Sequence, residues 1–137
     1  MVHIFVFDAS ERLLVQQLGR LRDRNPLHWG SSVAGYLHAG ESYADGAKRR
    51  LLEELRLESK LVKHGSTHMS DRGCMKFIGV FTTRVESDMP SIGESHHIER
   101  LAWMELRELD RELTSKPERF TATFRHVYRF FRSTRGL

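Results

Sequence analysis

Cysteine is almost absent: Cys74 is the only one in 137 residues. One thiol excludes an intrachain disulfide framework and a cysteine-built metal site. The simplest expectation is an intracellular, cytoplasmic protein in which Cys74 is buried filler. No apolar run approaches the roughly 20 residues needed to cross a bilayer, so no membrane partner is expected. The opening residues, MVHIFVFDASERLL, show neither a basic leader nor a small-residue cleavage site; they read as a strand and not as a signal peptide. Repeats, low-complexity tracts and long linkers are missing too, and a single domain over residues 1–137 is expected.

What is present is an ordinary globular composition, 39% hydrophobic and 29% charged. A folded chain of 16.0 kDa buries roughly two thirds of the surface its unfolded form exposes, enough for a core without staples. Basic residues outnumber acidic ones, giving a net charge of +4 and a pI near 9.6. That balance favours anionic partners and excludes none of nucleic acid, nucleotide or phosphorylated metabolite.

Hydrophobic spacing predicts strands over Val2 to Phe7 and Leu13 to Gln17, joined by a turn at Asp8 to Arg12. A polar connector, GRLRDRNP, carries Arg20, Arg22 and Arg24 and reads as a solvated loop or a phosphate-facing rim. Gly30, Gly35 and Gly40 mark a stretch that turns tightly. A helix is expected after Ser42, with Ser42 and Asp45 as a capping pair and Ala44, Ala47, Leu51 and Leu55 as its buried stripe. Gly46 weakens that helix by about 1 kcal/mol relative to alanine. Strands are predicted over Lys60 to Thr67, Met75 to Val85 and Ile98 to Met104, with a turn at Ser70 to Gly73 and a loop at Glu86 to Ser95. Helices are predicted over Glu105 to Glu112 and Phe120 to Phe131. This order supports a mixed α/β or α+β fold.

Residues 35–57 read GYLHAGESYADGAKRRLLEELRL. Glu41 stands six residues after Gly35, Arg49 eight after Glu41, and Leu51, Glu53, Glu54 and Leu57 complete the run. The pattern resembles the signature of the Nudix hydrolases and departs from it twice: Arg50 stands where the family has a glutamate, and Arg56 where it has a late glycine. The resemblance implies an α/β/α sandwich with a mixed central sheet. It also implies a Mg²⁺- or Mn²⁺-dependent pyrophosphohydrolase acting on a nucleoside diphosphate derivative or a related phosphorylated metabolite. The alternative is a catalytically impaired nucleotide-binding or regulatory protein of the same fold. WGSSVAGYLHAGES followed by KRRLLEEL is similar to the isopentenyl-diphosphate isomerase branch, which shares the Arg-Arg pair. The isomerase residues do not carry over: the catalytic cysteine falls at Ala34, a metal-binding histidine at Tyr36, and later acidic positions at Cys74 and Lys76. Isomerase activity is therefore not expected.

The chemistry stands beside the resemblance. Cleaving a diphosphate bond requires positive charge around two phosphorus centres, and hard divalent cations take carboxylate oxygens. Glu53 is the first choice for a metal ligand. Glu54 is the second, or a base for water. Glu41 and Arg49 pair to fix the loop on the helix. Arg50, three and four residues before the two acids, either clamps them or turns to phosphate. Gly35, Arg50, Lys76 and Trp29 are expected to bind the ligand, Lys76 through phosphate and Trp29 by stacking, with core packing as the competing role for Trp29 and Phe77. Glu94 and Glu99 are candidates for a third acid. His3, His28, His38, His64, His68, His96, His97 and His126 form no zinc-protease spacing. Arg119, Arg125, Arg129, Arg132 and Arg135 make a basic stripe that reads as a solvated face; nucleic acid is not the expected partner. A homodimer stays open.

Overall fold

A computed structural model describes residues 1–86 and 88–134. Its elements are β1 (Val2–Phe7), β2 (Leu13–Leu18), β3 (Trp29–Gly30), β4 (Val33–Gly35), α1 (Tyr43–Leu55), β5 (Val62–Asp71), β6 (Cys74–Arg84), β7 (Ile98–Met104), α2 (Leu106–Ser115) and α3 (Ala122–Thr134).

β1 is buried along its whole length, as expected of a strand covered on both faces. Its side chains alternate between two cores. Phe5 and Phe7 pack with Leu13, Val15, Ile78, Val80, Phe124, Val127 and Phe131 beneath α2 and α3. Val2, Ile4 and Val6 pack with Leu14, Val33, Ala47, Leu51 and Leu55 beneath α1. The sheet is mixed: β1 runs parallel to β6 and antiparallel to β4; β5 is antiparallel to β6, and β2 to β7. Helices therefore cover both faces of a mixed sheet, the expected α/β/α sandwich. No helix among the described residues is long and apolar enough to cross a membrane.

β1 and β2 meet only at Phe7 and Leu13, then splay apart. Ser32 fills the split: its hydroxyl donates to the Leu14 carbonyl at 2.5 Å and accepts from the Val6 N–H at 2.9 Å. This wedge lets β3 and β4 enter the sheet between β2 and β1 and carries Gly35 to the rim of a cleft.

Several expectations are corrected. Ala44 is exposed; the buried stripe of α1 is Ala47, Leu51 and Leu55, joined by Gly46 and Glu54. Gly46 is a packing requirement, because a Cβ there would overlap Leu37. β5 runs on to Asp71, since Arg72 and Gly73 alone make the turn with positive φ. Phe77 is 61% exposed and Cys74 is also exposed, because the β5–β6 hairpin extends past its covering helices. Phe120 is buried but precedes α3, in a bridge with Trp29.

Candidate active site

The N-terminus of α1 is capped by Ser42, whose hydroxyl accepts from the Asp45 N–H at 3.1 Å. Its C-terminus ends at Arg56, whose φ of 53° is left-handed. That is the position where the resembled signature has glycine, so the turn geometry persists with a strained side chain. Between these ends α1 presents Arg49, Arg50, Glu53 and Glu54 toward the loop after β4.

Arg49 holds Glu41 with two contacts, Nε to Oε2 at 2.8 Å and Nη2 to Oε1 at 2.9 Å. Arg49 also donates to the Tyr36 carbonyl at 3.0 Å and to Glu53 at 2.7 Å. The loop is thereby pinned to the helix. The Arg49 hydrogen bonds, together with the His38 N–H, hold the Glu41 carboxyl down at about 2. Gly35 is needed where it stands, because a Cβ there would overlap Nε of Arg50.

Arg50 spans three carboxylates. It donates to Glu53 at 2.9 Å, to Glu54 at 2.6 Å and to Glu94 at 3.0 Å. Glu94 arrives on the loop after β6, which is docked by the Gly93 N–H donating to the Glu54 carbonyl at 2.7 Å. Glu54 is 3% exposed and also accepts from Gln16 at 3.0 Å. Burial pushes Glu54 up to about 7, against the Arg50 charge and the Gln16 hydrogen bond. Burial also opposes the charge on Arg50, but Glu54 and Glu94 outweigh it and hold the guanidinium protonated.

These residues line one side of a cleft of about 610 Å³. Among the residues expected at the site, the cleft gathers Gly35, Arg49, Arg50, Glu54, Lys76 and Glu94. Glu41 and Glu53 join it through Arg49 and Arg50. Glu99 does not; it pairs outward with Arg20 at 2.8 Å. Trp29 lies outside this cleft, in a separate recess, where Arg100 sits 5.5 Å above its ring; its position beside β2 and Phe120 turns it away from the acids. Of the connector arginines, Arg22 and Arg24 line the cleft and Arg20 does not. The C-terminal basic stripe is broken, since Arg132 is committed to Asp110 at 2.7 Å; Arg135 lies outside the described residues.

The far side of the cleft went unforeseen. His3, Ser31 and Thr123 are buried polar residues lining it, and Gln16, equally unforeseen, joins the acids through Glu54. His3 and Gln16 sit in otherwise apolar strands, VHIFVF and LLVQQL, and Thr123 at the start of α3. A polar side chain in a strand covered on both faces needs a partner, and that rule could have singled out His3 and Gln16.

The donor chemistry suits a hard divalent cation. Glu53 reaches Nη1 of Arg50, and Glu54 and Glu94 reach Nη2, so the cation these three carboxylates surround is a guanidinium. With Arg50 so placed, no group of three His, Cys, Asp or Glu side chains among the described residues is arranged to hold a metal.

A family model described as NUDIX domain matches residues 1–125. The chain is 27% identical over 141 residues to an isopentenyl-diphosphate Delta-isomerase of Cereibacter sphaeroides, covering 95% of this chain and 79% of the isomerase. It is 30% identical over 112 residues to an uncharacterized Nudix hydrolase of Pseudomonas aeruginosa, covering 77% of this chain and 66% of that one. Among solved structures, the MutT protein of Methanosarcina mazei Go1 superposes with a TM-score of 0.78 at 18% identity, covering 96% of this chain and 91% of the other.

Proposed function

The chain belongs to the NUDIX family, and from that premise we propose that its cleft binds and cleaves a diphosphate linkage in a phosphorylated metabolite, a nucleoside diphosphate derivative being the first choice. The observation that carries this reading is the convergence of Glu53, Glu54 and Glu94 on a single guanidinium beside Arg49 and Gly35.

Arg50 is the movable part. Its guanidinium fork suits a phosphate as well as a carboxylate, and its Nε is buried without a partner among the described residues. A diphosphate at the rim competes with the acids for the Arg50 fork, and Glu53 and Glu54 are the residues that would hold Mg²⁺ or Mn²⁺. A divalent ion bound there would offset phosphate charge and lower the pKa of water. Where Glu54 does not serve as a ligand, its buried carboxyl, pushed up to about 7 with Arg50 in place, suits it as a base for water. Arg49 keeps the loop and helix in register through Glu41.

The relatives named as isomerases support placement in that branch, without its reaction. Ala34 lines the cleft but has no group to move a proton, and Tyr36 is 68% exposed. Proton shuttling across an alkene needs an acid and a base.

The clamp itself favours a second reading, a binding or regulatory protein that holds a diphosphate without cleaving it. A turnover screen decides: nucleotide sugars, dinucleotides, ADP-ribose and nucleoside di- and triphosphates, each with Mg²⁺, Mn²⁺ or chelator, followed by ³¹P NMR. Metal-dependent product release that is lost in Glu53→Gln and Glu54→Gln supports the hydrolase. Binding that survives chelation, with no product under any condition, supports the second reading.

A further inference from the structure

The cleft has another end. β1 lies between β4, which carries Gly35 beneath Arg50, and β6, which carries Lys76; Gly35 and Gly79 both register with Val2. Lys76, three residues from Gly79, is therefore at least two strand spacings, roughly 10 Å, from Gly35. The alternation of β1 turns His3 toward the α3 side with Phe5 and Phe7.

Lys76 donates to Asp71 and to the Thr123 hydroxyl, both at 3.0 Å. An ammonium has three N–H donors, so one remains. His3 is 3% exposed. Its Nδ1 is 2.7 Å from the Ser31 hydroxyl, and its Nε2, fully enclosed, has no partner among the described residues. A buried polar atom left alone costs about 1–3 kcal/mol, and the residue that carries it lines the same cleft as Lys76. Thr121 and Thr123 place the first turn of α3, with its partial positive charge, at the same wall. Arg22 and Arg24 line the mouth, and the Arg22 Nε is likewise buried and unpartnered. Asp71 offsets Lys76, which leaves the charges of Arg22 and Arg24 in excess.

We propose that this end is a subsite for a second oxyanion, a phosphomonoester or carboxylate carried on the moiety beyond the diphosphate, held by Lys76 and His3 at the start of α3. An alkenyl tail would strand these polar groups without water or partners, a cost that the site is built to avoid. The inference rests on the diphosphate reading of the Arg50 end.

The test is calorimetry in chelator at fixed ionic strength, with methylene diphosphonate and two matched pairs of probes: UDP-glucuronate against UDP-glucose, and NADP⁺ against NAD⁺. The anionic member of at least one pair should bind tenfold or more tighter, and the pair that discriminates identifies the oxyanion as carboxylate or phosphate. In Lys76→Met, and in the charge-balanced double variant Lys76→Met/Asp71→Asn, that ratio should collapse toward one. If methylene diphosphonate binds and neither pair discriminates, or if the ratio survives in both variants, the second subsite is wrong and the diphosphate reading stands. If methylene diphosphonate binds neither in chelator nor with Mg²⁺, both fall.

Discussion

The two ends of the cleft are built on opposite principles. At the α1 end the charged side chains are paired with one another, Arg49 with Glu41 and Glu53 and Arg50 with Glu53, Glu54 and Glu94; Gln16 also donates to Glu54, and the Arg50 Nε is left without a partner among the described residues. At the α3 end, His3 keeps a buried ring nitrogen without a partner and Lys76 keeps a donor in hand. A network of ion pairs must be opened by a ligand that competes for one of its members. A wall with a spare donor and an unpaired ring nitrogen awaits a ligand that completes it. One cleft therefore joins a charge clamp to an open cradle.

The comparison is broken most severely at the acids. Glu54→Gln should lower metal-dependent turnover by about 100-fold or more, the scale for removing a proton-transfer or charge-stabilising group; unchanged kcat in a steady-state assay would place the chemistry elsewhere. Gly35→Ala comes next. Its new Cβ collides with Arg50, so diphosphate affinity should fall about tenfold, with a stability loss of about 1–3 kcal/mol from overpacking, read by calorimetry and urea melts.

At the open end, His3 supplies a pH signature. Burial first, then the charges of Lys76 and the N-terminal amine, push its pKa down to about 3 from the ordinary 6.5. The folded state keeps His3 neutral while the unfolded chain takes up a proton. Stability is therefore fully present above pH 6.5 and declines as pH falls toward 3, by up to about 1.4 kcal/mol per pH unit. Glu54 acts oppositely: its raised pKa favours the fold at low pH, and that advantage fades between about 4.5 and 7. His3→Leu should flatten the acid-side decline of a urea melt series, and an unaltered decline would refute the assignment. Arg56→Gly should raise stability by about 1 kcal/mol in the same melts, because a left-handed cap costs any residue with a Cβ. Arg20→Ala, which breaks only an outward pair with Glu99, should leave turnover within about twofold, as expected for an exposed ion pair.

The clamp was far more legible in the sequence than the cradle. Helical spacing set Arg49, Arg50, Glu53 and Glu54 within reach of one another, and the resemblance added Gly35 and Glu41. β1, β2, β7 and α1 also follow from local pattern. The cradle is assembled from residues 3, 31, 76 and 123, brought together by the parallel pairing of β1 with β6 and by the docking of α3. No local periodicity encodes those contacts. Trp29 and Glu99 lie outside the cleft for the same reason: their direction depends on pairing with β2 and with Arg20. Phe77 looked like core because its strand is apolar, yet whether a strand position is covered depends on how far the hairpin outruns its helices.

The most direct test is Mn²⁺ binding followed by electron paramagnetic resonance, with and without methylene diphosphonate. Arg50 occupying the acids predicts weak Mn²⁺ binding alone and at least tenfold tighter binding with the diphosphonate, with the difference absent in Arg50→Gln. Equal Mn²⁺ affinity with and without diphosphonate in the unaltered protein would contradict the clamp.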